Sequence, residues 1–114
     1  MRVDSISLSA AAYRVRSRQN FAELHVRRTP GGAGGTSFVW WTEPDSAVAG
    51  IDFVPQARIT QVLPAGVHAA SLFIRLVPNP SRKRSAVFHV FIGEPGNGVS
   101  LGRVARTTVI LPAS

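Results

Sequence analysis

Apolar and polar residues take turns along Ala22-Glu23-Leu24-His25-Val26-Arg27-Arg28, so Ala22, Leu24 and Val26 share one face and Glu23, His25 and Arg27 the other. A period of two is the mark of an extended strand with one face buried. It returns between Ser85 and Glu94, with Phe88, Val90 and Ile92 on one side and Val87, His89 and Phe91 on the other. Helical periodicity is nearly absent. Only Ser9-Ala10-Ala11-Ala12 tolerates a helix, and it is too short to be stable alone.

The same reading predicts further strands at Thr36–Thr42, Ala57–Leu63, Ala69–Val77 and Arg103–Leu111. A first strand is expected in two halves, Ser5–Leu8 and Tyr13–Arg16, broken at the alanines. Turn formers separate these runs: Thr29–Gly35, Pro64-Ala65-Gly66, Pro78–Ser81 and Pro95–Gly98. About seven short strands with Gly/Pro turns between them predict an all-β antiparallel sandwich. The 114 residues suit one domain, 1–114, with one core, and neither a linker nor an internal repeat divides them.

The absence of cysteine excludes disulfides and thiolate metal sites. No run approaches the roughly 18 apolar residues of a membrane span, and Asp4 interrupts the N-terminal segment where a signal peptide would carry its apolar stretch. As it stands the chain reads as cytoplasmic, or as a domain excised from a larger surface protein. The glycine-rich stretch from Thr29 to Gly35 is followed by neither Gly-Lys-Ser/Thr nor a helix start, so it reads as a connector and not as a phosphate loop. His25, His68 and His89 are scattered without metal spacing, and no Gly-x-Ser-x-Gly elbow supports a nucleophile. The expectation is a chain that is not an enzyme and carries no cofactor.

One stretch is neither strand nor helix: Thr42-Glu43-Pro44-Asp45-Ser46-Ala47-Val48-Ala49-Gly50-Ile51-Asp52-Phe53. Pro44 removes a donor, Asp45 and Ser46 form turns and Gly50 permits positive φ, so it reads as a fixed crossover between two sheets. It resembles the Calx-β domain family, whose pattern here is Thr-x-Asp-Gly-Thr-Ala-x-Ala-Gly-x-Asp-Tyr. Thr42, Ala47, Ala49, Gly50 and Asp52 match, Ser46 is a close replacement, Phe53 stands for Tyr, and Pro44-Asp45 takes the Asp-Gly place. Leu63-Pro64-Ala65-Gly66-Val67, Phe88-His89-Val90-Phe91-Ile92 and Leu101-Gly102 are similar to later parts of the family pattern, so the likeness runs from about Tyr13 to Leu111.

The resemblance implies an immunoglobulin-like sandwich used as an interaction module, in some members calcium-binding. Calcium needs six to eight oxygen ligands, mostly carboxylates. Of the acidic positions the resemblance implies, only Asp52 is retained. Elsewhere stand Ser17-Arg18-Gln19-Asn20, Pro78 to Arg84, and Leu111 to Ser114. Loss of calcium binding is expected, with Asp52 accepting N–H bonds in its own turn.

Two surface features remain. The net charge is +7, from 13 basic and 6 acidic residues, and Arg14, Arg16 and Arg18 alternate, so they are expected on one strand face. With Arg82, Lys83 and Arg84 they form a candidate anion patch, for nucleic acid or an acidic polysaccharide. The second feature is apolar. Phe38, Trp40 and Thr42 are expected in the core, which turns Val39 and Trp41 outward beside Val87, His89 and Phe91. These five form a candidate interface for a protein partner or a second copy of the chain.

Overall fold

The computed structural model describes residues 4–16, 18–29, 34–96 and 99–113. Among these, nine strands form: β1 (Asp4–Leu8), β2 (Ala12–Arg14), β3 (Phe21–Thr29), β4 (Thr36–Pro44), β5 (Ile59–Leu63), β6 (Ala69–Arg75), β7 (Ala86–Gly93), β8 (Val99–Leu101) and β9 (Arg106–Leu111). One sheet has the order β6-β3-β1-β8 and the other β2-β9-β7-β4-β5. The molecule is thus the expected all-β, immunoglobulin-like sandwich. Most of the Thr29–Gly35 connector lies outside the described residues, as do Ser17, Asn97, Gly98 and Ser114.

Nine strands stand where about seven are expected because the chain changes sheets near both ends. β1 runs parallel to β8 in one sheet, and β2 runs parallel to β9 in the other. The first switch falls at the predicted break. Ser9 donates its N–H to the His25 carbonyl (2.9 Å) in one sheet, and the Ala11 carbonyl accepts from Thr108 (3.0 Å) in the other. No pattern in the sequence marks β8, since three residues are too few to show a period.

The core follows the alternation. Leu24, Val26, Phe38, Phe88, Val90 and Val109 are buried between the sheets, with Trp40 beside them. Thr42 departs from the expected core position and is only half-buried. Beyond Trp40 the neighbouring strand β5 has ended, and the chain returns as a loop that Thr42 clamps. The Thr42 N–H donates to the Gln56 carbonyl (3.0 Å), and the Thr42 hydroxyl accepts from the Gln56 N–H (2.8 Å).

The alternation of β3 also carries Arg28 inward, to 5% exposure. Its Nε donates to the Asp4 carboxylate at 2.8 Å, and its Nη1 donates to the Gly34 carbonyl. Removing one partner of such a pair strands the other charge, whereas replacing both can restore stability. Asp4→Ala is therefore expected to cost about 3 kcal/mol in urea denaturation, and Asp4→Ala/Arg28→Met to recover most of it. A double variant no more stable than Asp4→Ala alone would show that the pair is not what holds this end.

Candidate functional site

Residues 42–53 do not cross between the two sheets as expected. They open the connection from β4 to β5, which pair antiparallel in one sheet, so this crossover passes over the end of the sandwich and builds one of its poles. Gly50 adopts φ +85°, a left-handed conformation that glycine takes without a Cβ clash. That turn lets the Gly50 N–H reach the Phe53 carbonyl (2.7 Å) and the Asp52 N–H reach the Val48 carbonyl (2.8 Å). The stretch is sewn to β7 as well: Ala47 donates to the Val87 carbonyl (2.8 Å), and the Ser46 hydroxyl accepts from the Val87 N–H (2.8 Å). Phe53, fully buried, stacks on Phe88 with ring centres 4.0 Å apart and 10° between planes.

This packing places Asp52 at 4% exposure, where a carboxylate needs donors. Oδ2 accepts from the Val48 N–H (2.8 Å), inside the turn as the sequence suggests. Oδ1 accepts from the Asn79 amide (2.8 Å) and from Arg82 Nη1 (2.7 Å). Arg82 Nε donates to the Pro112 carbonyl at 2.8 Å, so one guanidinium ties the crossover to the end of β9. A turn aims it, with the Arg82 N–H on the Asn79 carbonyl (3.1 Å). Burial pushes the Asp52 carboxyl up, but the donors of Val48, Asn79 and Arg82, with the Arg82 charge, outweigh it and hold it below its ordinary value of 3.8.

Beside this contact lies a cleft of about 560 Å³, lined by Val15, Arg16, Arg18, Leu76, Pro78, Pro112 and Arg82 among others. Of the candidate anion patch, Arg16, Arg18 and Arg82 converge here. Arg14 lies exposed on β2, and Lys83 and Arg84 are exposed outside the lining. Arg14, Arg16 and Arg18 do not share a strand face as expected, because β2 ends at Arg14. Beyond it the Gln19 N–H turns back to the Arg16 carbonyl (3.2 Å), and Arg18 sits at φ +66°. Arg82 is no free surface cation, since its charge is engaged by Asp52.

The outward residues of β4 and β7 are contiguous. Trp41 pairs with Phe91 across the strands, and their rings stack at 5.6 Å. Val39, Trp41, Val87, His89 and Phe91 are each half-buried, not open. The cover is cationic. Arg58 lies 4.0 Å from the Trp41 ring centre and pairs with Glu94, while Arg106 lies 5.5 Å from Phe91. Gly93 allows the indole to lie close, for a Cβ there would meet it at 3.1 Å.

On the same face His89 accepts neighbours that its exposed position in the pattern did not suggest. Its Nε2 meets Asp45 at 2.8 Å and its Nδ1 meets the Thr108 hydroxyl at 3.1 Å. The order Thr–His–Asp is that of a nucleophile relay. It runs over a sheet face, however, and neither of the two main clefts includes any of the three residues. His25, in the other sheet, meets Glu23 at 3.9 Å and is exposed.

No protein-family model and no curated protein matches the sequence. Solved structures do match the fold. The apo-form Calx CBD1 domain superposes with a TM-score of 0.90 at 21% identity, over 99% of each chain. The Calx CBD2 domain gives 0.88 at 18% identity, covering 96% of this chain and 86% of that one. The calcium binding domain CBD12 of CALX1.1 gives 0.87 at 22% identity, with 95% of this chain covering 45% of it. The chain therefore has the Calx-β fold suggested by residues 42–53.

Because the Asp52 carboxyl titrates lower in the fold than in the unfolded chain, its stabilisation is complete above about pH 5. It is lost as pH falls through the lowered value. Asp52→Asn is expected to cost about 3 kcal/mol at pH 7, because Arg82 loses its counter-charge. The gap between wild type and variant should shrink toward pH 2. Urea midpoints that differ equally at both pH values would contradict a charge-based role.

Proposed function

We propose that this domain is a non-catalytic interaction module that works without calcium. The observation that carries the reading is the Arg82 guanidinium, 2.7 Å from Asp52 Oδ1 and 2.8 Å from the Pro112 carbonyl. A divalent ion would have to displace a fixed positive charge from a nearly buried carboxylate. Both Asp52 oxygens already accept hydrogen bonds, and among the described residues Asp52 is the one carboxylate in the cleft lining. Six to eight oxygen ligands are not assembled from such a set, so the calcium implied by the fold does not fit these residues.

The row Val39, Trp41, Val87, His89 and Phe91 supports the interaction reading. It joins aromatic area to guanidinium groups, a combination enriched at protein interfaces. A second copy of the chain is the partner this reading favours. The alternative, an anion-binding role, is favoured by Arg16 and Arg18 in the cleft.

Thermal unfolding of the protein in chelator and in millimolar calcium is expected to give the same midpoint. A ligand that binds only the folded state raises it, so an increase of several degrees with calcium refutes the calcium-free reading. Separately, sedimentation is expected to show wild type heavier than a single 12.2 kDa chain and Trp41→Glu at the single-chain mass. Equal masses would remove self-association through this face.

A further inference from the structure

The cleft beside Asp52 combines three properties that the calcium-free pole does not require. Its walls are apolar, built from Val15, Leu76, Pro78 and Pro112. Arg16 and Arg18 line it and are exposed, and neither forms an ion pair among the described residues. The one carboxylate among its described lining residues, Asp52, is already neutralised by Arg82. The space, about 560 Å³, is that of a small-ligand site.

Arg18 adds a further observation. It is held at φ +66°, a region that residues with a Cβ seldom occupy. The loop around it is tied down. The Arg16 N–H donates to Gln19 Oε1 (3.1 Å), and Gln19 Nε2 donates to the Phe21 carbonyl (2.6 Å). Glycine would suit this backbone better, so the fold itself has no need of a guanidinium there. Strain of this kind is a reason to look for function.

We propose that this cleft binds an amphipathic carboxylate, its head held by Arg16 and Arg18 and its apolar body lying against Val15, Leu76, Pro78 and Pro112. Guanidinium forks match a carboxylate, and the apolar walls disfavour a fully hydrated polyanion. Free organic acids and the C-terminal carboxylate of a peptide share this chemistry. The assignment rests on the calcium-free reading, since an ion beside Asp52 would move Arg82 and remake the back of the cleft.

Calorimetric titration of the whole chain tests it, with 3-phenylpropionate, acetate, inorganic phosphate, and an acetylated peptide ending in Phe-Leu as free acid or amide. 3-Phenylpropionate is expected to bind about tenfold or more tightly than acetate or phosphate. Tighter binding by the peptide acid than by 3-phenylpropionate, with none by the amide, identifies a protein tail as the source; the reverse order identifies a free acid. Arg16→Ala/Arg18→Ala should lose about tenfold or more. Arg18→Gly should lose affinity without lowering the melting temperature, which separates binding from folding. Lys83→Ala and Arg84→Ala, outside the cleft, should change nothing. Phosphate binding as well as 3-phenylpropionate, or equal weakening by Lys83→Ala, overturns the proposal in favour of diffuse charge. A calcium-induced rise in melting temperature with 3-phenylpropionate binding intact overturns only the calcium-free reading. Absence of carboxylate binding with no calcium effect overturns only this one.

Discussion

Asp52 joins segments that local chain preference would leave apart. Its side chain closes the turn that begins at Val48, and its carbonyl accepts the N–H of Val77 at 3.0 Å beyond β6. Through Arg82 it reaches Pro112 beyond β9. A carboxylate at 4% exposure is tolerable only when its oxygens are satisfied. Satisfying them draws the crossover, the loop after β6 and the C-terminal segment into one place. The adjoining Phe53–Phe88 stack anchors the same crossover to the core, so polar and apolar contacts support one geometry.

The identity of the counter-charge shapes what this pole can do. A divalent ion gathers oxygen atoms around a point, and several loops must turn carboxylates toward it. A guanidinium is planar and covalently tethered, and it supplies donors in a fixed fork. With Arg82 in that place, the loops need only one carboxylate and one carbonyl. Arg16, Arg18, Pro78 and Pro112 need not turn oxygen toward the pair and line an open cleft with apolar walls beside it.

The outer face of β4 and β7 solves a different problem. Two large aromatic side chains point away from the core on adjacent strands, and bare they would make an adhesive surface. Arg58 and Arg106 lie against them, hiding ring area while keeping charge at the surface. His89 is drawn into the same layer by Asp45 and Thr108. The face is neither the bare apolar patch that strand alternation suggests nor an ordinary polar surface.

Much of the fold is legible in the amino-acid order because strand alternation and turn chemistry are local. The inward faces of β3, β4 and β7, the break between β1 and β2, and the turn chemistry of the stretch ending in Asp52-Phe53 can all be read that way, but not that this stretch returns to the sheet it left. Even the burial of Arg28 follows from its phase in β3, although its partner Asp4, 24 positions away, does not. Arg82 is the opposite case. In sequence it is one member of the basic run Arg82-Lys83-Arg84, with nothing to set it apart from its neighbours. Only the folded chain brings it to Asp52, 30 residues distant, and to Pro112. Local order thus determined the strands and the turn that carries the Asp52 carboxylate. The tertiary structure decided which cation meets that carboxylate, because such a pairing depends on how loops from both sheets converge and not on any period along the chain.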